Sequence, residues 1–247
     1  MLRNRRTALI SLLLGLGLAA CASSGDQDSS GATDRSPSSE VMTASTQQAL
    51  TPADVLADLK EGNRRFVEGR LTHRDYLAQA GATSKGQYPK AVVVGCLDSR
   101  VPPEIVFDQG IGDLFVGRIA GNFENTDLLG SLEFATKAAG SKLIVVLGHT
   151  SCGAVKGALD GVEMGNLTEM LDNLDEVVAE VRSRLSGPPD SSNAKLVQAA
   201  VERNVYQTVD DILARSPIIA EMVDSGELAV VGGVYDLATG RVEWLIE

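Results

Sequence analysis

Two short runs of apolar residues limit the possible folds of this chain more than any other feature. Residues 91–94 and 143–147 consist only of Ala, Val, Leu and Ile, which is typical of strands that are buried on both faces. An extended run at 114–116, and then a helical pattern that starts at 126–127 and ends near Gly140, precede the second run. Strand, helix and strand joined by short connections predict a right-handed βαβ crossover, and therefore a parallel sheet.

The rest of the sequence predicts helices that cover this sheet and two further strands. Apolar residues recur at helical spacing over 167–185 and again over 197–213, and Thr51 followed by Pro marks the start of another helix. A buried strand is expected over 228–235 and an edge strand over 241–246. The predicted fold class is α/β, with a mainly parallel sheet of four to five strands flanked by helices.

Chemically active side chains directly follow both of the buried strands. Cys96, Asp98 and Arg100 come after the first strand, and His149 and Cys152 come after the second. The carboxyl ends of parallel strands are where catalytic groups collect in open α/β sheets, so the two motifs are expected to meet. Two thiolates, one imidazole and one carboxylate are enough to hold one zinc ion, and a catalytic zinc keeps a position for water. The sequence therefore predicts a zinc enzyme.

The N-terminal residues predict export. Arginines within the first six residues precede an apolar stretch over 8–18, and small residues lead up to Cys21, as in a secretory signal. The ending Leu-Ala-Ala-Cys resembles the lipobox of bacterial lipoproteins, in which the cysteine carries the lipid and becomes the mature N-terminus. This implies a signal peptide over 1–20 and a protein anchored by lipid in the cell envelope or periplasm, with the outer membrane favoured because no Asp follows Cys21. An ordinary cleaved signal with an incidental cysteine is the alternative.

Composition divides the remaining chain into a tether and one domain. Residues 21–50 are rich in Ser, Gly, Asp, Thr and Ala, with few large apolar side chains to offset the entropy of ordering, so we expect them to be flexible. Residues 51–247 are enough for one domain with a sizeable core. The formal net charge of −11, without a basic patch interleaved with aromatic residues, argues against nucleic acid as a partner.

Export raises a competing interpretation of the two cysteines in the motifs. If Cys21 is lipidated, Cys96 and Cys152 remain in an oxidising compartment, where a disulfide is the ordinary expectation. A thiol redox protein with a reversible disulfide between them would contain no stoichiometric metal. The sequence lacks the Cys-x-x-Cys pair that is typical of such proteins, which argues against this alternative.

The two motifs and the segments between them resemble the β-class carbonic anhydrases. The first motif has the pattern C-x-D-x-R from Cys96, and the second has H-x-x-C from His149 within Gly-His-Thr-Ser-Cys-Gly-Ala. Phe-Asp-Gln-Gly at 107–110 and Arg-Ile-Ala-Gly-Asn at 118–122 add to a similarity that extends over most of the predicted domain. The chain departs from the family at Leu97, where Ser is commoner, but this position supplies no metal ligand.

The resemblance implies a zinc-dependent lyase that reversibly hydrates carbon dioxide to bicarbonate and a proton. One zinc ion per subunit would be held by Cys96, His149 and Cys152, with water or Asp98 in the fourth position. Asp98 would accept a hydrogen bond from the reacting water, while Arg100 would hold it ionised and turned away from the metal through a bidentate pair. When that pair breaks, Asp98 can bind zinc itself and close the site. The sequence leaves the choice between these two states open.

The resemblance also implies contacts to the substrate and an oligomer. Gln87 stands where part of the family has a Gln whose amide contacts substrate oxygen, and the backbone amide of Gly153 is a second donor. Phe115 and Ala120 would line an apolar pocket for the nonpolar gas. A homodimer or homotetramer is expected, because in the family the part of the pocket that contains this Gln tends to come from a neighbouring subunit.

Two functional alternatives stay open at this point. Relatives of this fold hydrolyse carbonyl sulfide or carbon disulfide, and access to the pocket alone can separate those substrates from carbon dioxide. The second alternative is a non-catalytic, membrane-tethered domain with a structural zinc ion. The Asp98–Arg100 pair argues against it, because a permanently closed site would not need the arginine.

Overall fold

A five-stranded sheet forms the centre of the structure, a computed structural model that describes residues 36–247. Its strands are β1 (Ala91–Gly95), β2 (Leu114–Arg118), β3 (Leu143–His149), β4 (Ala229–Tyr235) and β5 (Val242–Ile246). Their order across the sheet is β2-β1-β3-β4-β5. The first four strands are parallel, and β5 is an antiparallel edge strand beside β4. The predicted α/β fold with a mainly parallel sheet is therefore confirmed.

Helices lie on both faces of this sheet and on its edges. Within residues 36–247 they are α1 (Ala44–Ala49), α2 (Pro52–Val67), α3 (Tyr76–Thr83), α4 (Pro103–Val106), α5 (Thr126–Glu133), α6 (Gly153–Asp160), α7 (Asn166–Asp172), α8 (Asp175–Arg184), α9 (Ala194–Arg215) and α10 (Pro217–Asp224). Apolar side chains of α2 and α4 pack on one face of the sheet, and those of α5 to α10 pack on the other. None of these helices combines the length and the hydropathy needed to span a bilayer.

The central strands β1 and β3 are buried along their whole length, as their unbroken apolar runs predict. The start of α2 also follows the sequence pattern. Thr51 caps the helix by accepting a hydrogen bond from the backbone N–H of Asp54 at 3.2 Å, and the Asp54 carboxylate accepts the Thr51 N–H in return at 2.9 Å. This capping box, with Pro at the first helical position, fixes where α2 begins.

Two predicted helices are interrupted in the structure. The segment 167–185 forms α7 and α8 with a break at Asn173, whose side-chain amide donates to the backbone carbonyls of Glu169 and Met170 and so competes with the helical hydrogen bonds. The helix predicted to run to Gly140 ends at Glu133 and continues as a π-helix over Phe134–Ala138. Apolar spacing predicts the buried face of such a segment, but not a local change in its hydrogen-bond pattern.

The folded part of the chain begins before residue 51, so the predicted tether is too long at its C-terminal end. Helix α1 lies within it, and Ser38 pairs with Arg74 in an isolated β-bridge. The side chain of Gln47 is buried and donates to the carbonyls of Pro89 at 2.8 Å and Ala139 at 2.9 Å. Composition missed this segment because a polar side chain anchors it. The predicted signal peptide and Cys21 lie outside the described residues.

Replacing Gln47 tests whether this anchor stabilises the domain. We expect Gln47→Ala to lower the free energy of unfolding by about 1–3 kcal/mol, because a buried side chain that donates two hydrogen bonds is lost. Its exposed neighbour Gln48 supplies the matched control, since Gln48→Ala should change the stability little. Urea denaturation measures both values, and equal effects of the two substitutions would show that Gln47 is no anchor.

Candidate metal centre

The pairing of β1 with β3 brings the two motifs together at the carboxyl ends of these two central strands. Gly95 pairs with Leu147, so Cys96 leaves β1 beside the last residues of β3. His149 is the last residue of β3, and Cys152 precedes the first turn of α6. The ligand atoms of Cys96, His149 and Cys152 all lie within 4.8 Å of one another, and all three residues are buried. The structure thus brings together the three residues that the sequence predicts to hold zinc.

The distance between the two sulfur atoms matches a shared metal ion better than a disulfide. Cys96 Sγ and Cys152 Sγ lie 3.9 Å apart, and both cysteines are free. A disulfide needs about 2.05 Å between its sulfur atoms. Two sulfur atoms that each lie about 2.3 Å from one tetrahedral zinc ion are about 3.8 Å apart. The side chains are therefore already spaced as two ligands of a single ion.

The imidazole of His149 is oriented for the same role. Its Nδ1–H donates to the backbone carbonyl of Thr150 at 3.0 Å, which fixes the tautomer and leaves a lone pair on Nε2. Nε2 is fully buried and has no hydrogen-bond partner within residues 36–247. A buried nitrogen without a partner is costly unless something binds it. Two sulfur donors and this nitrogen fit zinc, with a fourth position left for water.

The charges of the two thiols also favour a cation between them. The hydrogen bond between the two sulfur atoms, together with His149 and the Gly121 N–H, lowers the pKa of Cys96 to about 4 despite burial. The resulting Cys96 thiolate and burial raise the pKa of Cys152 far above its ordinary value. Without a metal the buried pair therefore holds one proton, whereas a divalent cation allows both sulfur atoms to ionise.

Asp98 lies beside this cluster and is held by Arg100. Arg100 Nε donates to Asp98 Oδ1 at 2.9 Å and Nη2 donates to Oδ2 at 2.6 Å, while the Arg100 backbone N–H binds Oδ1 at 3.0 Å. These bonds hold the pKa of the Asp98 carboxyl well below its usual range, so it is an acceptor only. Asp98 Oδ2 lies 3.8 Å from His149 Nε2. Of the two states that the sequence left open, the structure has the paired one.

Arg118, at the end of β2, supports the chain around these residues. Its Nε donates to the backbone carbonyl of Cys96 at 2.8 Å, and its Nη2 donates to the carbonyl of Asp98. The guanidinium therefore fixes the backbone between the metal ligand and the carboxylate. Arg118 belongs to the 118–122 pattern of the sequence, but that pattern indicates no role for it. Its position at the end of an extended run was the available signal.

Of the four predicted substrate contacts, two lie at the metal centre and two do not. Gly153 is the first residue of α6, directly after Cys152, where helix N–H groups lack intrahelical partners. Ala120 follows Ile119, whose carbonyl accepts from Leu97 N–H at 3.3 Å beside the first motif. Phe115 pairs with Val92, four residues before Cys96 and therefore about 13 Å away along the strand. Gln87 is exposed and precedes β1, at the opposite end from Cys96.

An apolar cavity of about 510 Å³ lies between β2 and α5. The rings of Phe115 and Phe134 meet edge to face there, with their centroids 6.2 Å apart, and Leu128 completes the lining beside them. Phe134 opens the π-helix and leaves 57% of its surface exposed. The strand beside this cavity, β2, is an edge of the sheet. This apolar cavity therefore lies at an edge of the sheet that no other strand of residues 36–247 covers.

Comparison with known proteins identifies the family. A sequence model of the family described as carbonic anhydrase matches residues 91–242. Carbonic anhydrase 2 of Mycobacterium tuberculosis is 44% identical over 186 residues, which cover 74% of this chain and 87% of that protein. This chain belongs to the carbonic anhydrase family. The matched range contains the three residues of the metal cluster and the Asp98–Arg100 pair, so the whole candidate centre lies in the part shared with carbonic anhydrases.

Solved structures place the chain in the β class of carbonic anhydrases. The β-carbonic anhydrase of Coccomyxa, solved in complex with acetazolamide, is 32% identical with a TM-score of 0.61 and matches 78% of this chain and 86% of its own. One of two tetrameric β-carbonic anhydrases from the ascomycete Sordaria macrospora is 29% identical with a TM-score of 0.60, covering 67% of this chain and 84% of its own. The resemblance stated from the two motifs is confirmed.

Proposed function

We propose that this chain is a zinc-dependent β-carbonic anhydrase that reversibly hydrates carbon dioxide to bicarbonate and a proton. Its membership in the carbonic anhydrase family supports this activity. The observation that carries the proposal is the buried cluster of Cys96, His149 and Cys152 with an ionised, arginine-held Asp98 beside it. A structural zinc site is closed by four protein ligands, whereas here the Asp98 carboxylate is held by Arg100. Three ligands and an oriented acceptor are the parts of a catalytic site.

The proposed ligands are Cys96, His149 and Cys152. A zinc ion held by these residues would lower the pKa of a bound water molecule towards neutrality, as the histidine-ligated zinc of another carbonic anhydrase does. Two sulfur ligands donate more charge than imidazoles do and oppose this effect. The residues around the ligands must therefore compensate, by orienting the water and by withdrawing charge from the sulfur atoms.

Asp98 is proposed to orient the reacting water. Because it is ionised at neutral pH, its carboxylate accepts a hydrogen bond and so directs the remaining lone pair of the water oxygen towards the carbon of the substrate. Arg100 keeps the carboxylate in this position through its bidentate contact. The Gly153 amide, at the start of α6, is proposed to bind a substrate oxygen.

Replacing the Asp98 carboxylate by an amide tests this assignment. We expect Asp98→Asn to lower kcat for carbon dioxide hydration by about 100-fold or more, since the amide no longer supplies an ionised acceptor. Zinc content should stay at one ion per chain, because the three proposed ligands are untouched. Stopped-flow hydration assays on zinc-quantified protein give both values.

A remote carboxylate provides the matched control for this experiment. Asp172 is exposed at the end of α7, and Asp172→Asn should leave both kcat and zinc content unchanged. The proposal fails if zinc-loaded protein does not hydrate carbon dioxide. Equal kcat values for Asp98→Asn and Asp172→Asn would contradict the role proposed for Asp98.

We also propose that the substrate pocket is completed between two copies of the chain. Gln87 and Phe115 are too far along the sheet to reach the metal centre of their own chain. Phe115 instead lies at the apolar cavity beside the unpaired edge of β2, a surface that a second copy can cover. The tetrameric β-carbonic anhydrase from Sordaria macrospora supports assembly into a homodimer or homotetramer.

Mixing two inactive chains tests this shared pocket. One chain carries Gln87→Ala and retains its own metal centre, and the other carries Asp98→Asn and retains Gln87. If Gln87 acts across the interface, hybrids purified through two different tags should regain activity, because one of their sites then contains both intact residues. The activity should exceed that of either parent variant.

The matched control for this mixing pairs two defects of the same centre. Hybrids of Asp98→Asn with Arg100→Gln contain no site with both residues intact, so no activity should return, since these two residues contact each other within one chain. If neither hybrid regains activity, Gln87 does not contribute to the active site of the neighbouring chain. Equal recovery in both would mean that subunit mixing itself restores activity.

Export and anchoring through a lipid on Cys21 are the proposed localisation, with the outer membrane favoured. Support comes from the sequence alone, where basic residues, an apolar stretch and Leu-Ala-Ala-Cys stand in order. Several acyl chains on one residue bind a membrane firmly, whereas one chain binds only marginally. Mass spectrometry of the mature protein should find Cys21 acylated at its N-terminus, and Cys21→Ser should abolish the modification. A mature protein without acyl groups would contradict the anchor.

A further inference from the structure

The Cys96 sulfur accepts a hydrogen bond from the backbone of another segment. The Gly121 N–H donates to Cys96 Sγ at 3.4 Å, in a buried setting. An N–H directed at a thiolate draws charge from the sulfur, so it changes how strongly that sulfur donates to a metal. A site with two thiolates depends on such bonds, because each thiolate otherwise makes the metal a weaker acid. The residues that fix the direction of the Gly121 N–H therefore also influence how much charge the Cys96 sulfur donates to a metal.

The turn that directs this N–H has an unusual backbone. Gly121 has φ +90° and Asn122 has φ +44°, so two successive residues adopt left-handed conformations. A side chain at Gly121 would meet the Cβ of Ala154 at 3.4 Å. The left-handed conformation is unfavourable for a residue with a side chain, such as Asn122, and persists only where the surrounding structure holds it.

Two polar side chains of α9 hold this turn. Asn204 Nδ2 donates to the Gly121 carbonyl at 2.7 Å, and Thr208 Oγ1 donates to the Asn122 carbonyl at 3.4 Å. The two donors are one helical turn apart on the same face of the helix. Both residues are almost fully buried, with 2% of Asn204 and 1% of Thr208 exposed. The carbonyls of Gly121 and Asn122 are thus both hydrogen-bonded to the same helix, α9.

The same face of α9 also reaches the strand that carries His149. A Cβ added at Gly148 would lie 2.8 Å from a methyl group of Val205, so the helix and the end of β3 are in close contact. Buried positions of α9 around Asn204 are otherwise mostly apolar, and burying an amide there is costly unless it is hydrogen-bonded. The 2.7 Å bond to Gly121 is the one that offsets this cost.

We propose that Asn204, assisted by Thr208, is a positioning residue for the Cys96 ligand. The Gly121 carbonyl and N–H belong to adjacent peptide units that are joined at the Gly121 Cα. By fixing the carbonyl, Asn204 limits the rotation at Gly121 that would turn its N–H away from the Cys96 sulfur. Asn204 thereby acts on the charge and the position of that sulfur at the metal. Asn204 touches neither the metal nor the substrate. This inference rests on the metal site of the proposed function and adds to it a residue on α9 that controls the strength of one ligand.

The experiment replaces Asn204 and measures the metal itself. Asn204→Ala removes the donor, so the Gly121 N–H should turn away and Cys96 should become a stronger electron donor. In the cobalt-loaded protein, the thiolate-to-cobalt charge-transfer band should then move to longer wavelength. Zinc should be released to a chelator about 10-fold faster or more, because the sulfur also loses the contact that holds its position and this loss outweighs its stronger donation. Thr208→Val, which keeps the shape of the side chain, should change both values in the same direction by less.

Asn63 supplies the matched control, since it is another buried asparagine that ties two segments together. Its Nδ2 donates to the carbonyls of Val106 at 3.1 Å and Gly240 at 2.9 Å, and its helix α2 packs on the face of the sheet opposite α9. Asn63→Ala should lower stability without moving the cobalt band or the rate of zinc release. If Asn204→Ala does not fold, Thr208→Val decides in the same way.

Three results would overturn the inference. The first is an unchanged band and release rate in folded Asn204→Ala, or in Thr208→Val where that variant decides. The second is an equal change in Asn63→Ala, which would mean that lost stability alone alters the site. The third is a parent protein that takes up neither cobalt nor zinc, and this result would also remove the metal site of the proposed function. A shift confined to the α9 variants, in a parent protein that binds metal, supports Asn204 as the positioning residue.

Discussion

The parallel pairing of β1 with β3 is the constraint on which the rest of this structure depends. The pairing of Gly95 with Leu147 brings Cys96 to the place where His149 ends the neighbouring strand, although α4, β2, α5 and the π-helix separate them in sequence. Apart from His149 at the end of β3, both strands consist of apolar residues and glycine and are buried along their whole length, so packing fixes their register. A shift of either strand by one residue would reverse its side chains and separate the ligands. The metal centre is thus a consequence of the sheet.

Two neighbouring thiols in the interior of the protein can both ionise only if other groups stabilise the negative charge. Cys96 and Cys152 hold one proton between them without a metal, and both can ionise only next to a cation. The negative charge of Asp98 is balanced by Arg100, so it adds an acceptor at the site without an unpaired charge. Backbone N–H groups, including that of Gly121, reduce the charge on the sulfur. The same arrangement therefore binds a divalent ion and keeps an oriented carboxylate beside it.

Short sequence patterns predict the parts of this structure that they determine locally. They do not predict the parts that a tertiary hydrogen bond determines. The strands β1 and β3, and the ligands that follow them, could be predicted because buried strands and metal ligands both have strong local signatures. Helix α1 and the interruption at Asn173 could not, because single amide side chains determine them. The roles of Arg118 and Asn204 depend on carbonyl groups that only the folded chain brings near. The resemblance, rather than the residue pattern, indicated that the part of the pocket with Gln87 belongs to a neighbouring subunit, and the sheet adds the distance of Phe115 from its own metal centre.

X-ray absorption at the zinc edge of the metal-loaded protein tests the central claim most directly, because it counts the atoms around the ion. We predict two sulfur atoms at about 2.3 Å together with nitrogen and oxygen neighbours at about 2.0–2.2 Å. The paired state of Asp98 and Arg100 further predicts that this first shell is the same in wild-type protein and in Asp98→Asn. A shell with fewer than two sulfur atoms would contradict the joint ligation by Cys96 and Cys152. Zinc that remains only while the two cysteines are joined in a disulfide would contradict the account entirely.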